Sequence, residues 1–433
     1  MASAVPHINT PADDRAIRRR GLTLALLTFT YFFSYMDRQI LAILLELIKA
    51  DLVLDDTQLG LLTGFAFALF YAVLGIPVAR LADRHNRRNI VAISLTIWSV
   101  MTAACGFAQN FVQLLLARIG VGVGEAGSSP PSHSIIADLY PAEKRAGAMA
   151  IYSLGVVLGA GVGTFIGGTV AHLYGWRAAM VVVGLPGVVL AILVRLFVVE
   201  PRRGLSEGRT GSTEPVPSIA QGFAALWRNR AALYLVLGVT ITSLVGYSLT
   251  GWGPSYMQRS LGMSMLSISL WVAPLGTVAG AISALAGGRI ADRWAAKRGL
   301  HVQSWVVAIT KTAALPFAML FYALDDVTLA ITCYIISVLF ANSYLGPSFA
   351  LIQGLAPIRL RALWAAITLL VINLLGLGLG PTLVGILSDF YRPSYGADSL
   401  RYAMLSVYAL TPLAILLYWR AGVLLREGAK TAE

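Results

Sequence analysis

The sequence predicts an all-α integral membrane protein with 12 transmembrane helices, arranged as two pseudo-symmetric bundles of six. Three observations support this fold class: the composition, the number of long apolar runs, and a repeat between the two halves of the chain. Of the 433 residues, 57% are hydrophobic and only 12% are charged, and the mean hydropathy is +0.73. This composition is too apolar for a soluble multi-domain protein, and an apolar run of about 20 residues can cross a bilayer as a helix.

Twelve apolar runs reach this length, six on each side of a polar break. They cover approximately residues 22–49, 59–80, 89–108, 111–136, 145–172, 177–199, 231–256, 266–290, 303–323, 327–354, 362–389 and 402–425. The break is rich in Pro, Gly and Arg, which indicates a linker, and its end has the apolar spacing of an interfacial helix. The predicted organisation is a cytoplasmic tail at 1–21, a first bundle at 22–199, a linker with an interfacial helix at 200–230, a second bundle at 231–425 and a tail at 426–433.

The two halves of the chain also repeat in sequence. Three segments of the first half return in the second half, at 79–84 and 288–293, at 141–146 and 357–362, and at 158–163 and 375–380. Parallel repeats of six spans are typical of transporters whose halves move about a site near the membrane midplane. The repeat therefore indicates transport.

The basic residues predict topology and do not indicate a nucleic-acid partner. The net charge is +12, but most of the 33 Lys and Arg residues lie in short loops on the side that carries both termini, which the positive-inside rule makes cytoplasmic. The first apolar run continues to residue 49 without a small-residue cleavage site, so it predicts a span and not a signal peptide. Cys105 and Cys333 lie in apolar runs without metal-ligand spacing, so neither a disulfide nor a metal site is expected.

Four charged residues lie away from the ends of spans one and four. A charge at the bilayer centre costs about 2.5–3.5 kcal/mol on insertion scales, so these side chains are expected to face protein or water. Adjacent residues of a helix point about 100° apart, so Asp37 and Arg38 need partners from other helices. Burial favours the protonated form of a carboxyl group, whereas a nearby arginine favours the ionised form. An arginine that moves toward or away from the acid therefore switches its affinity for protons. The predicted proton-coupling residues are Asp37, Arg38, Arg118 and Glu125, and salt bridges with a purely structural role are the alternative.

Two motifs resemble the major facilitator superfamily. Residues 79–88 match its loop motif G-x-L-A-D-R-x-G-R-R except that Ala79 and Asn86 replace the glycines, and residues 118–126 match its span-four motif R-x-x-x-G-x-G-x-A. The resemblance extends over residues 20–425. It implies the superfamily fold, in which spans one and four line a central cavity, and a transporter that is not an enzyme.

Within the superfamily, residues 35–41 and 56–65 look like the Spinster branch, whose eukaryotic members export lysolipids and sphingosine phosphates. The resemblance implies a proton-coupled antiporter that exports an amphiphilic, anionic, lipid-like substrate by alternating access in a bacterial inner membrane. It implies protons and membrane lipid as partners, a monomer, and a proton gradient in place of a cofactor. Thr164 stands where the antiporter motif of span five has proline, so a symporter or facilitator of a small organic anion is the alternative.

The remaining predictions concern substrate binding and gating. The predicted substrate-binding residues are Tyr35, Ser128, Ser129, Thr240, Ser243, Tyr247, Asn342 and Tyr344, with interhelical hydrogen bonding as their alternative role. The family resemblance implies a cytoplasmic gate formed by Asp83, Arg84, Arg87, Arg88, Asp138, Asp292 and Arg293, in which Asp138 pairs with an arginine. Lys311, in the middle of span nine, fits either a snorkelling side chain or a hydrophilic pocket wall.

Overall fold

The regular structure of the chain is helical. The computed structural model describes residues 10–206 and 218–430, and this part of the chain contains no β-strand. The chain divides into two compact units, one of Met1–Leu41 with Leu69–Pro215 and one of Ala42–Ala68 with Val216–Glu433. Residues 42–68, from the first half of the sequence, therefore pack with the second half. The predicted domain boundaries stay a prediction.

The helices of the first half are α1 (Pro11–Arg18), α2 (Arg20–Leu52), α3 (Asp56–Thr63), α4 (Phe65–Arg84), α5 (Arg87–Cys105), α6 (Phe111–Glu125), α7 (Ser129–Leu139) and α8 (Ala142–Phe197). After α9 (Ile219–Arg228), the second half forms α10 (Arg230–Arg259), α11 (Met265–Ser267), α12 (Ala273–Arg298), α13 (His301–Ala323), α14 (Val327–Ala341), α15 (Leu345–Leu355), α16 (Arg361–Val371), α17 (Gly380–Tyr395), α18 (Ser399–Tyr408) and α19 (Thr411–Lys430). Helical turns with π geometry at Ile268–Val272 and Ile372–Leu379 join α11 to α12 and α16 to α17.

Eight helical stretches of the described residues are long and apolar enough to cross a membrane. Two of them, Gly147–Phe197 and Leu363–Gly428, have 51 and 66 residues, which is enough for two crossings each at about 20 residues per crossing. The stretch Gly147–Phe197 changes direction at Gly175, whose backbone φ of +83° is a conformation that favours glycine. The charged predicted spans one and four correspond to α2 and to the interrupted helix α6–α7.

Two predicted spans are interrupted at equivalent places in the two halves. In span four, α6 ends at Glu125 and α7 begins after a three-residue break. Pro130 and Pro131 lack the N–H groups that would bond the carbonyls of that break, so the helix cannot continue through it unaltered. In span ten, α14 ends at Ala341 and α15 begins after a break of the same length, with Pro347 just beyond it.

Glycines bring α8 into direct contact with α2. Gly155, Gly159 and Gly163 lie four residues apart and therefore on one face of α8. A β-carbon at Gly159 would lie 2.2 Å from the carbonyl oxygen of Phe32, closer than atoms can approach. The sequence predicts such packing from its glycine-rich pattern, because small residues allow helix backbones to approach closely in membranes. This contact holds α2 in place one turn before its charged residues.

A capping box starts the amphipathic helix α1. The backbone N–H of Thr10 donates to Asp13 Oδ2 over 3.0 Å, and the N–H of Asp13 donates to Thr10 Oγ1 over 3.2 Å. Burial raises the pKa of Asp13, but the hydrogen bonds from Thr10 and the charge of Arg202 hold it below the ordinary value. The described part of the tail therefore forms a helix from Pro11, and this helix belongs to the first unit.

Candidate functional site

An ion pair within the first unit connects α2 with the end of α6. Arg38 Nε donates to Glu125 Oε2 over 2.8 Å, and Arg38 Nη2 lies 2.6 Å from the same oxygen. Ser34, one turn earlier on α2, donates its hydroxyl to that oxygen over 2.7 Å. Glu125 is buried, whereas the Arg38 side chain keeps 12% of its surface exposed. Glu125 Oε1 is buried without a hydrogen-bond partner among the described residues.

Aromatic rings surround the guanidinium of Arg38. The ring centroids of Tyr35 and Tyr71 each lie 4.9 Å from its central carbon, within the range of cation–π attraction. Tyr35 is thus a neighbour of the charged pair, as its predicted place in the site requires. Tyr71 was not predicted, because an aromatic residue in an apolar span has no local feature that separates a site residue from a packing residue.

Asp37 occupies a separate environment from Arg38, as the helical geometry predicts. It is 1% exposed and accepts a hydrogen bond from the hydroxyl of Thr102 on α5 over 3.1 Å. Its other oxygen, Oδ1, is buried and has no hydrogen-bond partner in the described part of the chain. Arg118, buried on α6, acts on Asp37 electrostatically. The four predicted proton-coupling residues therefore lie within one unit, and Glu125 forms the ion pair with Arg38.

Helix packing sets the position of this cluster. A β-carbon at Gly124 would lie 2.6 Å from the backbone nitrogen of Trp98, so α6 and α5 are in backbone contact beside the cluster. Thr102 is one turn beyond Trp98 on α5, which places its hydroxyl at Asp37. Ser128 lies in the break after Glu125 and is buried, with its hydroxyl lacking a hydrogen-bond partner among the described residues. Ser129, the first residue of α7, is half-buried beside it.

The predicted substrate residues of the second unit lie in different surroundings. Ser243 Oγ and the hydroxyl of Tyr344 are 3.2 Å apart, and Tyr247 and Tyr344 both pack against the core of this unit. Thr240 instead donates to Val236 O of its own helix over 2.7 Å. Asn342 lies in the break of span ten and is exposed. The pair of Ser243 and Tyr344 is thus in direct contact.

Some residues of the predicted cytoplasmic gate form a network around Arg87 in the first unit. Arg87 is buried and donates to Asp138, to Ser134 Oγ over 2.8 Å and to Glu200 Oε1 over 2.7 Å. The predicted partner of Asp138 is thus Arg87. Glu200 was not predicted, although its position directly after a span made it a possible partner.

The other gate residues lie around this network or away from it. The backbone N–H of Arg88 donates to Glu200 Oε2 over 2.9 Å, whereas Arg84 is exposed. Asp292 accepts a hydrogen bond from Gln303 over 3.2 Å, and Arg293 is exposed. The side chain of Asp83 lies outside the part of the structure that is described. The gating role of all seven residues stays a prediction.

A second charged network, within the second unit, was missed by the sequence reasoning. Asp56, at the start of α3, is 1% exposed and accepts from Arg259 Nη1 and Nη2 over 2.7 and 2.9 Å. Lys49 Nζ and the hydroxyl of Ser388 also donate to Asp56, and Arg259 Nε donates to Glu46 over 2.8 Å. The network therefore joins the α2–α3 connection to the end of α10 and to α17.

Backbone contacts strengthen the same junction. The carboxylate of Asp389 accepts from the N–H of Asp56 over 3.2 Å and from the N–H of Thr57 over 2.7 Å, at the N-terminus of α3, where a negative charge is favourable. A β-carbon at Gly385 would lie 2.2 Å from the carbonyl oxygen of Asp56. The two helices meet without intervening side chains, so the junction is both charged and tightly packed.

Many membrane-length helices, interrupted spans and ionisable side chains buried inside them define a membrane transport protein. The chain belongs to the Major Facilitator Superfamily, whose family model matches residues 27–381. Within it the chain is Spinster-like: it is a multi-pass membrane transporter with the superfamily fold, not an enzyme. The predicted fold class and family are confirmed.

Three comparisons support the assignment. The chain is 35% identical over 417 residues to an MFS-type efflux pump of Mycolicibacterium smegmatis, covering 96% of each chain. It is 30% identical over 415 residues to protein spinster homolog 1 of Xenopus tropicalis, covering 89% of this chain and 78% of the relative. The crystal structure of a bacterial homolog of the human lysosomal transporter Spinster, inward-facing and unoccupied, matches with a TM-score of 0.84 and 28% identity over 97% of this chain and 99% of that one.

Proposed function

We propose that this chain is a proton-coupled antiporter that exports an amphiphilic, anionic, lipid-like substrate by alternating access. Its place is the inner membrane of a bacterium, with both termini cytoplasmic. The similarity to an efflux pump supports the direction of transport, and the similarity to Spinster proteins supports the substrate class. Export driven by an inward proton gradient requires that protons and substrate move in opposite directions, which defines antiport.

The observation that carries this proposal is the unequal surroundings of the two buried carboxylates. The negative charge of Glu125 is stabilised by the guanidinium of Arg38 and by the hydroxyl of Ser34, which both donate to its Oε2. Asp37 accepts from the hydroxyl of Thr102 and, unlike Glu125, forms no salt bridge among the described residues, while each carboxylate has one oxygen without a hydrogen-bond partner there. An ionised carboxylate in a protein interior needs several donors or a paired charge. The transported proton is therefore assigned to Asp37 in this conformation, and Glu125 is assigned the role of holding Arg38.

The same ion pair favours a second candidate function. Arg38 stays charged throughout, so it can bind Glu125 or an anionic substrate but not both at full strength. If the anion displaced Glu125 and this carboxylate then took up a proton, proton and anion would move together. That sequence of events is symport of an organic anion. The direction of proton movement therefore separates the two candidates.

Proton movement in reconstituted vesicles tests the proposal. Vesicles that enclose a pH-sensitive dye receive external 1-oleoyl-lysophosphatidate or, in a separate arm, gluconate, with protein-free vesicles as the background. Substrate entry should make the interior alkaline in an antiporter and acidic in a symporter. The expected result is an alkaline shift with the lysolipid and none with gluconate, whereas an acidic shift with gluconate would favour the second candidate.

Variants then test the assigned residues. Asp37→Asn and Glu125→Gln should abolish substrate-driven proton movement, because each removes one of the two titratable carboxyls from the cluster. Asp14→Asn is the matched control, since Asp14 is exposed on α1 away from the cluster. If both cluster variants moved protons as the control does, the coupling mechanism would be wrong.

A further inference from the structure

A buried lysine in the second unit lies beside the break of span ten. Lys311 lies near the middle of α13 and is 8% exposed. Its Nζ donates to the carbonyl oxygen of Ala341 over 2.7 Å and lies 4.6 Å from the ring centroid of Tyr344. Ala341 is the last residue of α14, so its carbonyl is one of those that the interrupted helix leaves without a helical partner. The snorkelling role left open by the sequence is therefore excluded.

The carboxylates of its own half have other partners or lie far from Lys311. Between residues 231 and 425 the sequence contains Asp292, Asp325, Asp326, Asp389 and Asp398. Asp389 accepts from the backbone N–H groups of Asp56 and Thr57, and Asp398 lies 3.5 Å from Arg401. Asp325 and Asp326 follow α13 by sequence and are roughly 20 Å from Lys311 along the helix axis. Asp292 bonds with Gln303, two turns before Lys311. Among the described residues, Lys311 has no salt bridge.

The ammonium group keeps hydrogen-bonding capacity for a ligand. An ammonium has three N–H donors, and among the described residues the carbonyl of Ala341 uses one of them. Hydroxyl groups surround the same break: Thr310 Oγ1 and Ser343 Oγ are 2.8 Å apart, and Ser243 Oγ contacts the hydroxyl of Tyr344. By the argument applied to Asp37, a buried amine without a counter-ion is unfavourable as a cation, and an anion with several oxygen atoms would supply both the missing charge and the missing acceptors.

We propose that Lys311 and the hydroxyls of the span-ten break form an anion-binding site that takes the phosphate or carboxylate head group of the transported molecule. The proposal rests on the proposed transport function and assigns the head-group contact to the second unit, apart from the carboxylates of the first. The aromatic ring of Tyr344 lies against the ammonium, so the anion would approach from a side that this ring does not cover.

Ligand binding to the purified protein in neutral detergent tests this site. The probes are dodecyl phosphate, dodecanoate and dodecyltrimethylammonium, which share one chain and differ in head-group charge, and inorganic phosphate as a competitor. The wild-type protein should bind both anions more tightly than the cation, and equal affinity for all three would overturn the proposal without any variant. Competition by inorganic phosphate alone would show that the head group suffices.

The variants Lys311→Gln and Lys311→Arg separate anion binding from a structural role. Gln can still donate to the carbonyl of Ala341, so a purely structural lysine predicts unchanged binding in Lys311→Gln. The anion site predicts about 10- to 100-fold weaker binding of dodecyl phosphate, with the cation unaffected, and near-normal binding in Lys311→Arg. Lys297→Gln is the matched control, because Lys297 is exposed near the end of α12. Equal dodecyl phosphate affinity in Lys311→Gln and wild type would refute the site.

The vesicle assay distinguishes this failure from failure of the proposed transport function. If Lys311→Gln bound dodecyl phosphate normally while Asp37→Asn abolished proton movement, only the anion site would be wrong. If the lysine variant lost the anion while the wild type moved no protons with any substrate, the coupling proposal would fail and the anion site would stand.

Discussion

Replacement of Asp56 by Asn should release the junction between α3 and α17. Asp56 is the central acceptor of a network in which Arg259, Lys49 and Ser388 donate to its two oxygens. Loss of one partner from a buried ion pair costs about 3–5 kcal/mol, whereas a fully exposed pair is worth about 0–1 kcal/mol. Arg259 and Lys49 keep 16% and 20% of their side-chain surface exposed, so an intermediate cost of about 2–4 kcal/mol is expected. That energy corresponds to about a 30- to 1,000-fold increase in the open population of the junction.

Cysteine accessibility measures this opening. Leu59, on α3, is fully buried, so a cysteine at this position should react with a maleimide only when the junction opens. The background for this measurement is a protein in which Cys105 and Cys333 are replaced by serine. In it, Asp56→Asn should raise the labelling rate of Leu59→Cys by up to about 30- to 1,000-fold, in proportion to the open population.

Asp55→Asn is the matched control for this experiment. Asp55 is the exposed N-cap of α3, and Asn caps helices equally well, so this variant removes a neighbouring negative charge without touching the network. An equal labelling rate in the Asp56 and Asp55 variants would refute the reasoning that the ion pair holds the junction closed.

Three further predictions concern the first unit. Gly159→Ala should lower the thermal stability by about 1–3 kcal/mol, because its β-carbon would collide with the backbone of α2, whereas Gly147→Ala, where nothing lies within 4 Å, should not. Arg87→Gln should cost about 2–4 kcal/mol of stability because it leaves two acids without their buried partner, and the exposed Arg84→Gln should be neutral in the same unfolding assay. Because the pKa of Asp13 is lowered in the folded state, its contribution to the docking of α1 should be complete above about pH 4 and should be lost as the pH falls through the lowered pKa. Hydrogen exchange of the α1 amides, corrected for intrinsic rates, measures that loss, and protection that is independent of pH would contradict it.

Sequence reasoning identified the charged cluster because ionisable residues in apolar spans are costly and therefore conspicuous. It placed Asp37 and Arg38 in different directions from helical geometry alone, and the structure has them there. It could not decide which acid binds Arg38, because Asp37 has no spacing relation to span four and the break after Glu125 sets the direction of the Glu125 side chain. That decision depends on tertiary packing.

The network of Asp56 and Arg259 escaped prediction for a different reason. Both residues lie at the ends of predicted spans, where a single charge is ordinary and reports only topology. Their partnership joins positions 203 residues apart, and no local pattern links them. Lys311 was visible as an intramembrane charge, but its partner is a main-chain carbonyl, which every residue has and no sequence pattern marks.

The two helix breaks explain why the repeat in the sequence does not produce two copies of the same chemistry. Each break frees main-chain carbonyls at the same point of a half, but the residue at the end of α6 is Glu125, whereas Asn342 stands one position after the end of α14. Glu125 forms an ion pair with Arg38 of α2, while the carbonyl of Ala341 accepts a hydrogen bond from Lys311 of α13. The first break therefore places a carboxylate beside an arginine, and the second places a buried lysine, without a salt bridge among the described residues, beside a main-chain carbonyl. One repeated helix interruption thus supports two different interactions, because the charged residue beside it differs between the halves.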